Sequence, residues 1–269
     1  MNLVGDLAFW IMTPLNYLVS GILVVWHWLF ALSMPSDSGW TWVLAIIFLT
    51  ATIRALLAPL NVKQIRANRA MHSFRPQIEE LQKTYGDDRK RLHEEQMKLW
   101  KDAGTRPFAS CLPLIVQLLL WFVLLHVIDQ ASRRGAEGAR GFLTEDDAES
   151  LSNAKLLGAE IAGTLINSAH TETTILTLTL VIVACVTQFM TQRQVLVSNV
   201  SPDAAGGSYA RQQRFLLYAL PVLFFIGGLA FPLGVLIYWV TWNLWTVGEQ
   251  TLILRDNPEP GGPAGEMDV

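Results

Sequence analysis

Trp40-Thr41-Trp42-Val43-Leu44-Ala45-Ile46-Ile47-Phe48-Leu49-Thr50-Ala51-Thr52-Ile53-Arg54-Ala55-Leu56-Leu57-Ala58-Pro59-Leu60 is an almost unbroken apolar run with a single charge inside it. Its 21 residues match the ~20 that a helix needs to cross the hydrocarbon core at ~1.5 Å per residue. An arginine near mid-span costs roughly 2.5 kcal/mol or more. Arg54 must therefore either snorkel to an interface or face a wet cavity. Position alone leaves both open, because the head lies about 9 Å along the helix from Leu60 and the stem is long.

The rest of the chain supports a membrane setting. Of 269 residues, 51% are hydrophobic and only 16% charged, against about 25% charged in a soluble domain. Ten tryptophans fit a protein with two membrane interfaces. Besides 41–61, apolar stretches cover 108–128, 172–192, 215–231 and 233–251. The last two are parted only by Phe231-Pro232-Leu233-Gly234 and read as a helical hairpin. An earlier stretch, 8–34, is broken by Pro14, Asn16, Ser20, Gly21 and His27. Its tryptophans (Trp10, Trp26, Trp28) favour an amphipathic helix at the interface, although it is long enough to span. The amino terminus carries Asp6 where a signal peptide has basic residues, and no small-residue cleavage site follows.

Lysine and arginine set the orientation. Segment 62–107 holds eleven of them, and none precedes Arg54. The loop 129–171 has four against seven acids. Positive loops stay inside, which places 62–107, 193–214 and the carboxyl terminus in the cytoplasm and 129–171 outside. Within 62–107, Met71, Phe74, Ile78 and Leu81 recur at helical spacing. Tyr85-Gly86-Asp87-Asp88 makes a turn, and Leu92, Met97, Leu99 and Trp100 follow on a second stretch. Two amphipathic helices that cover each other's apolar stripes account for this pattern. Their basic excess (Lys63, Arg75, Arg89, Lys90 and Arg91, with Tyr85 at the turn) suits anionic lipid or ribosomal RNA, or simply fixes topology.

Several spans carry a sparse polar stripe when turned at ~100° per residue. Thr50, Arg54 and Asn61 share a face of the first; Ser110 and Gln117 share one on the second; Thr177 and Gln188 align on the third. Trp239, Asn243, Thr246 and Gln250 line the last. Facing inward, such stripes would build a hydrated pocket around Arg54, though single Gln or Asn residues also serve as glue between helices. No acid is placed within the spans to neutralise Arg54, since Glu249 lies near the end of the last one.

The ordered pieces resemble the YidC/Oxa/Alb family of membrane insertases. The resemblance rests on Ile53-Arg54-Ala55-Leu56-Leu57-Ala58-Pro59-Leu60 with Lys63-Gln64, Arg75-Pro76-Gln77-Ile78, and Leu81-Gln82-Lys83-Thr84-Tyr85. It continues through Ser110-Cys111-Leu112-Pro113-Leu114-Ile115-Val116-Gln117, Leu220-Pro221-Val222, Phe231-Pro232-Leu233-Gly234, Ile237-Tyr238-Trp239 and Asn243-Leu244. Each is weak alone; together, in order over about 13–255, they are specific.

The resemblance implies an all-α polytopic membrane protein with five core transmembrane helices enclosing a hydrophilic groove. It implies an interfacial helix within 1–38, a first core span at 39–61, a cytoplasmic helical hairpin at 62–107 and four further core spans in 108–251. The family's groove arginine falls on Arg54, with Thr50, Asn61, Gln117, Gln188, Trp239 and Asn243 as further groove candidates. Implied partners are nascent membrane proteins, the Sec translocon, the lipid bilayer and, through hairpin or loop, the ribosome; specific nucleic acid is not implied.

Departures are Gly104-Thr105-Arg106-Pro107 where family hairpins commonly leave through Gly-Val-Asn-Pro, and the lack of the large outer domain of Gram-negative members, which resembles the Gram-positive type. The tail 252–269 is short, acidic and rich in Pro and Gly, and is expected to be disordered. The outer acidic stretch Glu145 to Glu149 has no account at this level.

No nucleotide, metal or cofactor is expected. There is no P-loop or His-Glu-x-x-His or Gly-x-Ser-x-Gly motif. His126 and His170 are isolated, and Cys111 and Cys185 sit in apolar runs as packing residues. Covalent chemistry is not expected. Two rivals stand beside the insertase: a transporter or channel for an anionic solute, which should show an internal repeat, and a scaffold subunit in which Arg54 merely snorkels.

Overall fold

The computed structural model describes the backbone of residues 3–72, 74–86, 88–102, 107–166, 170–199 and 208–256. It is almost entirely helical: α1 Leu3–Ala31, α2 Gly39–His72, α3 Arg75–Tyr85, α4 Arg89–Asp102, α5 Pro107–Arg134, α6 Glu145–Asn153, α7 Thr171–Asn199, α8 Ser208–Gly228 and α9 Leu233–Asp256. A two-residue hairpin, β1 Lys155–Leu156 and β2 Ala159–Glu160, is the one sheet among the described residues. The chain is an all-α polytopic membrane protein. Among the described residues, three helical segments are long and apolar enough to cross a membrane: Met12–Ala31, Gly39–Val62 and Thr171–Arg193. The first belongs to the stretch expected at the interface, and its length and composition suit a crossing as well.

The chain divides into two compact units, Met1–Ala55 with Phe122–Val269, and Leu56–Trp121. In the second, the helix begun at Gly39 does not stop at Asn61 but continues to His72. Pro76 sits near the start of α3, where a missing N–H costs nothing. Helix α4 is capped by Asp88, whose Oδ1 accepts from the Arg91 amide at 3.1 Å. Helices α3 and α4 pack on each other around the turn that the sequence predicts at Tyr85–Asp88.

In the first unit α7 packs against both α8 and α9. Val181, Ala184, Leu236, Trp239 and Val240 form that core, with Phe224, Leu229 and Phe231 closing over it. Helix α1 meets α2 through rings: Trp26 and Phe30 lie 4.8 and 5.2 Å from Phe48, and His27 stacks on Trp42 at 3.8 Å.

Residues 135–166 form a folded cap. Helix α6 starts on a capping box, in which the Asp147 amide donates to Thr144 Oγ1 at 3.1 Å and the Thr144 amide donates to Asp147 Oδ2 at 3.2 Å. The acids Glu145, Asp146 and Asp147 occupy its first turn, where the helix dipole favours negative charge. That gives the acidic stretch its physical account. Leu233 and Gly234, the first residues of α9, donate their orphan amides to the carbonyls of Gly163 and Ile161, both at 3.0 Å. Trp42 Nε1 donates to Ser150 Oγ at 3.0 Å, and Gly39 lies so close to the Lys155 carbonyl that a methyl group would collide with it. Gly141, at φ +61°, is pressed in the same way against Ser20, whose hydroxyl accepts from the Phe142 amide at 2.9 Å. The cap is thus fastened to α1, α2 and α9.

Candidate functional site

Arg54 is 4% exposed. Its guanidinium turns toward α9, where Nη2 donates to Thr246 Oγ1 and to Glu249 Oε2, both at 2.8 Å. The Trp242 ring lies beneath it, 4.5 Å from centroid to Cζ. Thr246 donates its own proton to the Trp242 carbonyl at 2.9 Å, so its oxygen meets Arg54 as an acceptor. The expectation that Arg54 has no carboxylate partner is corrected: Glu249 forms an ion pair with it, the two side chains being 5% and 12% exposed. The physical reason is the helical repeat. Tyr238, Trp242, Thr246 and Glu249 fall within roughly 80° of one another on α9, and Glu249 is the one acid of that helix at this height.

Two further polar atoms are buried beside this pair. Among the described residues, Arg54 Nε and the Tyr238 hydroxyl have no hydrogen-bond partner, and Tyr238 is fully buried. Such donors cost free energy unless something accepts from them.

The other candidates divide by position. Thr50, one turn below Arg54 and fully buried, donates to the Ile46 carbonyl of its own helix at 2.7 Å. Asn243 is buried and donates to the Ala184 carbonyl of α7 at 3.1 Å, while Trp239 belongs to the α7–α9 core. The stripe of Trp239 and Asn243 therefore faces α7, and the stripe beginning at Tyr238 faces Arg54. Gln188 on α7 is half-buried. Asn61 is buried and belongs to the second unit; the side chain of Gln117 lies outside the described residues. Cys185 is a free thiol, 3.5 Å from the Pro221 carbonyl.

On the helical hairpin Lys90 and Arg91 are exposed and Tyr85 is half-buried. The side chains of Lys63, Arg75 and Arg89 lie outside the described residues, as do residues 103–106 and 257–269. The Glu95 carboxylate, 2.6 Å from the Lys98 ammonium, holds that amine above its usual range by hydrogen bonding first and charge second.

Missed by sequence reasoning were Tyr238, Trp242 and Glu249. The signal was present in their four-, four- and three-residue steps through Thr246, which put one aromatic–hydroxyl–acid line on a single face.

The family model described as 60Kd inner membrane protein matches residues 33–260. A protein of Streptomyces avermitilis named membrane protein insertase YidC is 36% identical over 98% of this chain, which spans 62% of that relative's length. Identically named proteins of Mycolicibacterium paratuberculosis and Tropheryma whipplei are 32% and 31% identical, over 87% and 96% of this chain and 72% and 87% of their own lengths. These matches bear out the resemblance read from the ordered motifs.

Proposed function

We propose that this chain, which belongs to the 60Kd inner membrane protein family, is an insertase and chaperone that inserts, folds and assembles integral membrane proteins, alone or with the Sec translocon. The carrying observation is a buried arginine, set in a helix of bilayer-crossing length, whose Nε and the neighbouring Tyr238 hydroxyl have no hydrogen-bond partner among the described residues. Relatives named insertases give that arginine its context.

The work is physical rather than covalent. A client's polar outer segment, often acidic, enters a hydrophilic path where Arg54 offers charge and hydrogen bonds, and the cost of taking polar groups into the bilayer falls. The client's apolar segment then leaves sideways into lipid. The membrane potential, about 2.3 kcal/mol per charge per 100 mV, helps draw the charged segment across. The cap formed by 135–166 supports closure of the outer end, because its carbonyls hold the start of α9. The hairpin, with its exposed Lys90 and Arg91, receives clients on the cytoplasmic side and offers the basic surface for lipid or ribosome. In this reading the protein lies in the bacterial cell membrane with its carboxyl terminus in the cytoplasm.

Photocrosslinking tests the reading against its rivals. A photoreactive residue at Gln117, and separately one at the half-buried Gln188, should trap a series of different nascent chains. Capture of one fixed partner would support a scaffold instead, and uptake of an anionic solute without any crosslinked chain would support a transporter.

A further inference from the structure

We propose that Glu249 is a built-in stand-in for the client's carboxylate: it holds Arg54 at rest and gives it up only to an incoming acidic side chain, so that it sets the selectivity of the site. The inference rests on the insertase reading and adds to it a residue and a competition.

Five observations lead there. Glu249 Oε2 already makes with Arg54 the contact a client carboxylate would make, at 2.8 Å and with little exposure on either side. That contact engages one guanidinium nitrogen, Nη2, which Thr246 also shares. The neighbouring Nε–H is buried without a partner among the described residues. A carboxylate pairs best with a guanidinium through two parallel bonds, so an arriving carboxylate that took Nε and Nη2 together would gain a bond that the resting pair does not show. The Tyr238 hydroxyl, also buried and unpartnered among the described residues, supplies one more donor on the same face of α9. Finally, the guanidinium is held over Trp242 and by Thr246, so it stays placed when Glu249 swings away.

The chemistry selects the occupant. A neutral client side chain cannot replace a carboxylate at a buried cation without stranding its charge, whereas Asp or Glu can, and the exchange leaves the charge of the site unchanged. Glu249 thereby raises the threshold for clients in proportion to how poorly they present an acid.

The test uses the purified full-length protein in liposomes. One client is a single-span protein with one Asp in its translocated tail, and the second carries Asp→Asn at that position. The readout is the ratio of protected acidic to protected neutral client, which is independent of how much of each variant folds. Wild type should favour the acidic client. Glu249→Gln, which keeps a hydrogen-bond acceptor but removes the competing charge, should lower the ratio roughly tenfold, the change that about 1.4 kcal/mol produces, because the neutral client no longer has to displace a carboxylate. Glu249→Asp should stay near wild type, and Arg54→Gln should bring the ratio to about one whether or not Glu249 is changed. A ratio unchanged or raised in Glu249→Gln, with wild type inserting both clients, would make Glu249 a fixed counter-ion and overturn the proposal. If wild type inserts neither client, the insertase reading itself falls, and the two failures are told apart.

Discussion

Arg54 on α2 and Glu249 on α9, 195 residues apart in the chain, meet at 2.8 Å in an ion pair that is nearly closed to solvent. Removing one partner of such a pair strands the other. Glu249→Ala should therefore destabilise the protein by about 3 kcal/mol, measured by unfolding in detergent micelles, because it leaves the Arg54 charge buried. The double change Arg54→Met with Glu249→Leu should recover most of that loss, since it removes both charges and keeps the volume.

The sequence made the membrane setting and the polytopic helical class legible, because both follow from composition and from runs of bilayer length such as 40–60. It also placed Arg54 as the residue to explain. It did not disclose the partner. A stripe drawn through Trp239 and Asn243 and one drawn through Tyr238 and Trp242 differ by about 100° on the same helix, and only tertiary packing decides which of them meets α7 and which meets Arg54. Position misled as well: Glu249 lies near the span's end, yet Arg54 has a stem long enough to reach it. The cap was hidden for another reason. Its hold on α9 runs through the backbone of Gly163 and Ile161, which no side-chain pattern encodes, while Thr144-Glu145-Asp146-Asp147 was a readable capping box.

The cap's attachment to α2 can be tested at one bond. Trp42→Phe keeps the ring over His27 but loses the Nε1 donation to Ser150. Thermal unfolding should show a loss of about 1 kcal/mol, and Ser150→Ala in the Trp42→Phe background should add little.

Gly39 tests the same attachment by size. A methyl group there meets the Lys155 carbonyl, so Gly39→Ala must push β1 away, at roughly 1–3 kcal/mol. Limited proteolysis within 145–160 should speed up relative to wild type, while cleavage elsewhere is unchanged.

Thr144→Ala removes the side chain that accepts from the Asp147 amide. The expected cost is about 1 kcal/mol, read as faster hydrogen exchange at the amides of α6. Thr144→Ser should restore the wild-type rate.

The most direct test of the central claim is complementation of insertase-depleted cells, scored by membrane insertion of clients with acidic tails at matched protein levels. Arg54→Ala should lose insertion of these clients by roughly tenfold or more, the scale of one lost charge interaction of about 1.4 kcal/mol, while Arg54→Lys keeps part of it. Undiminished insertion of every acidic-tailed client by Arg54→Ala would contradict the claim that this buried arginine receives them.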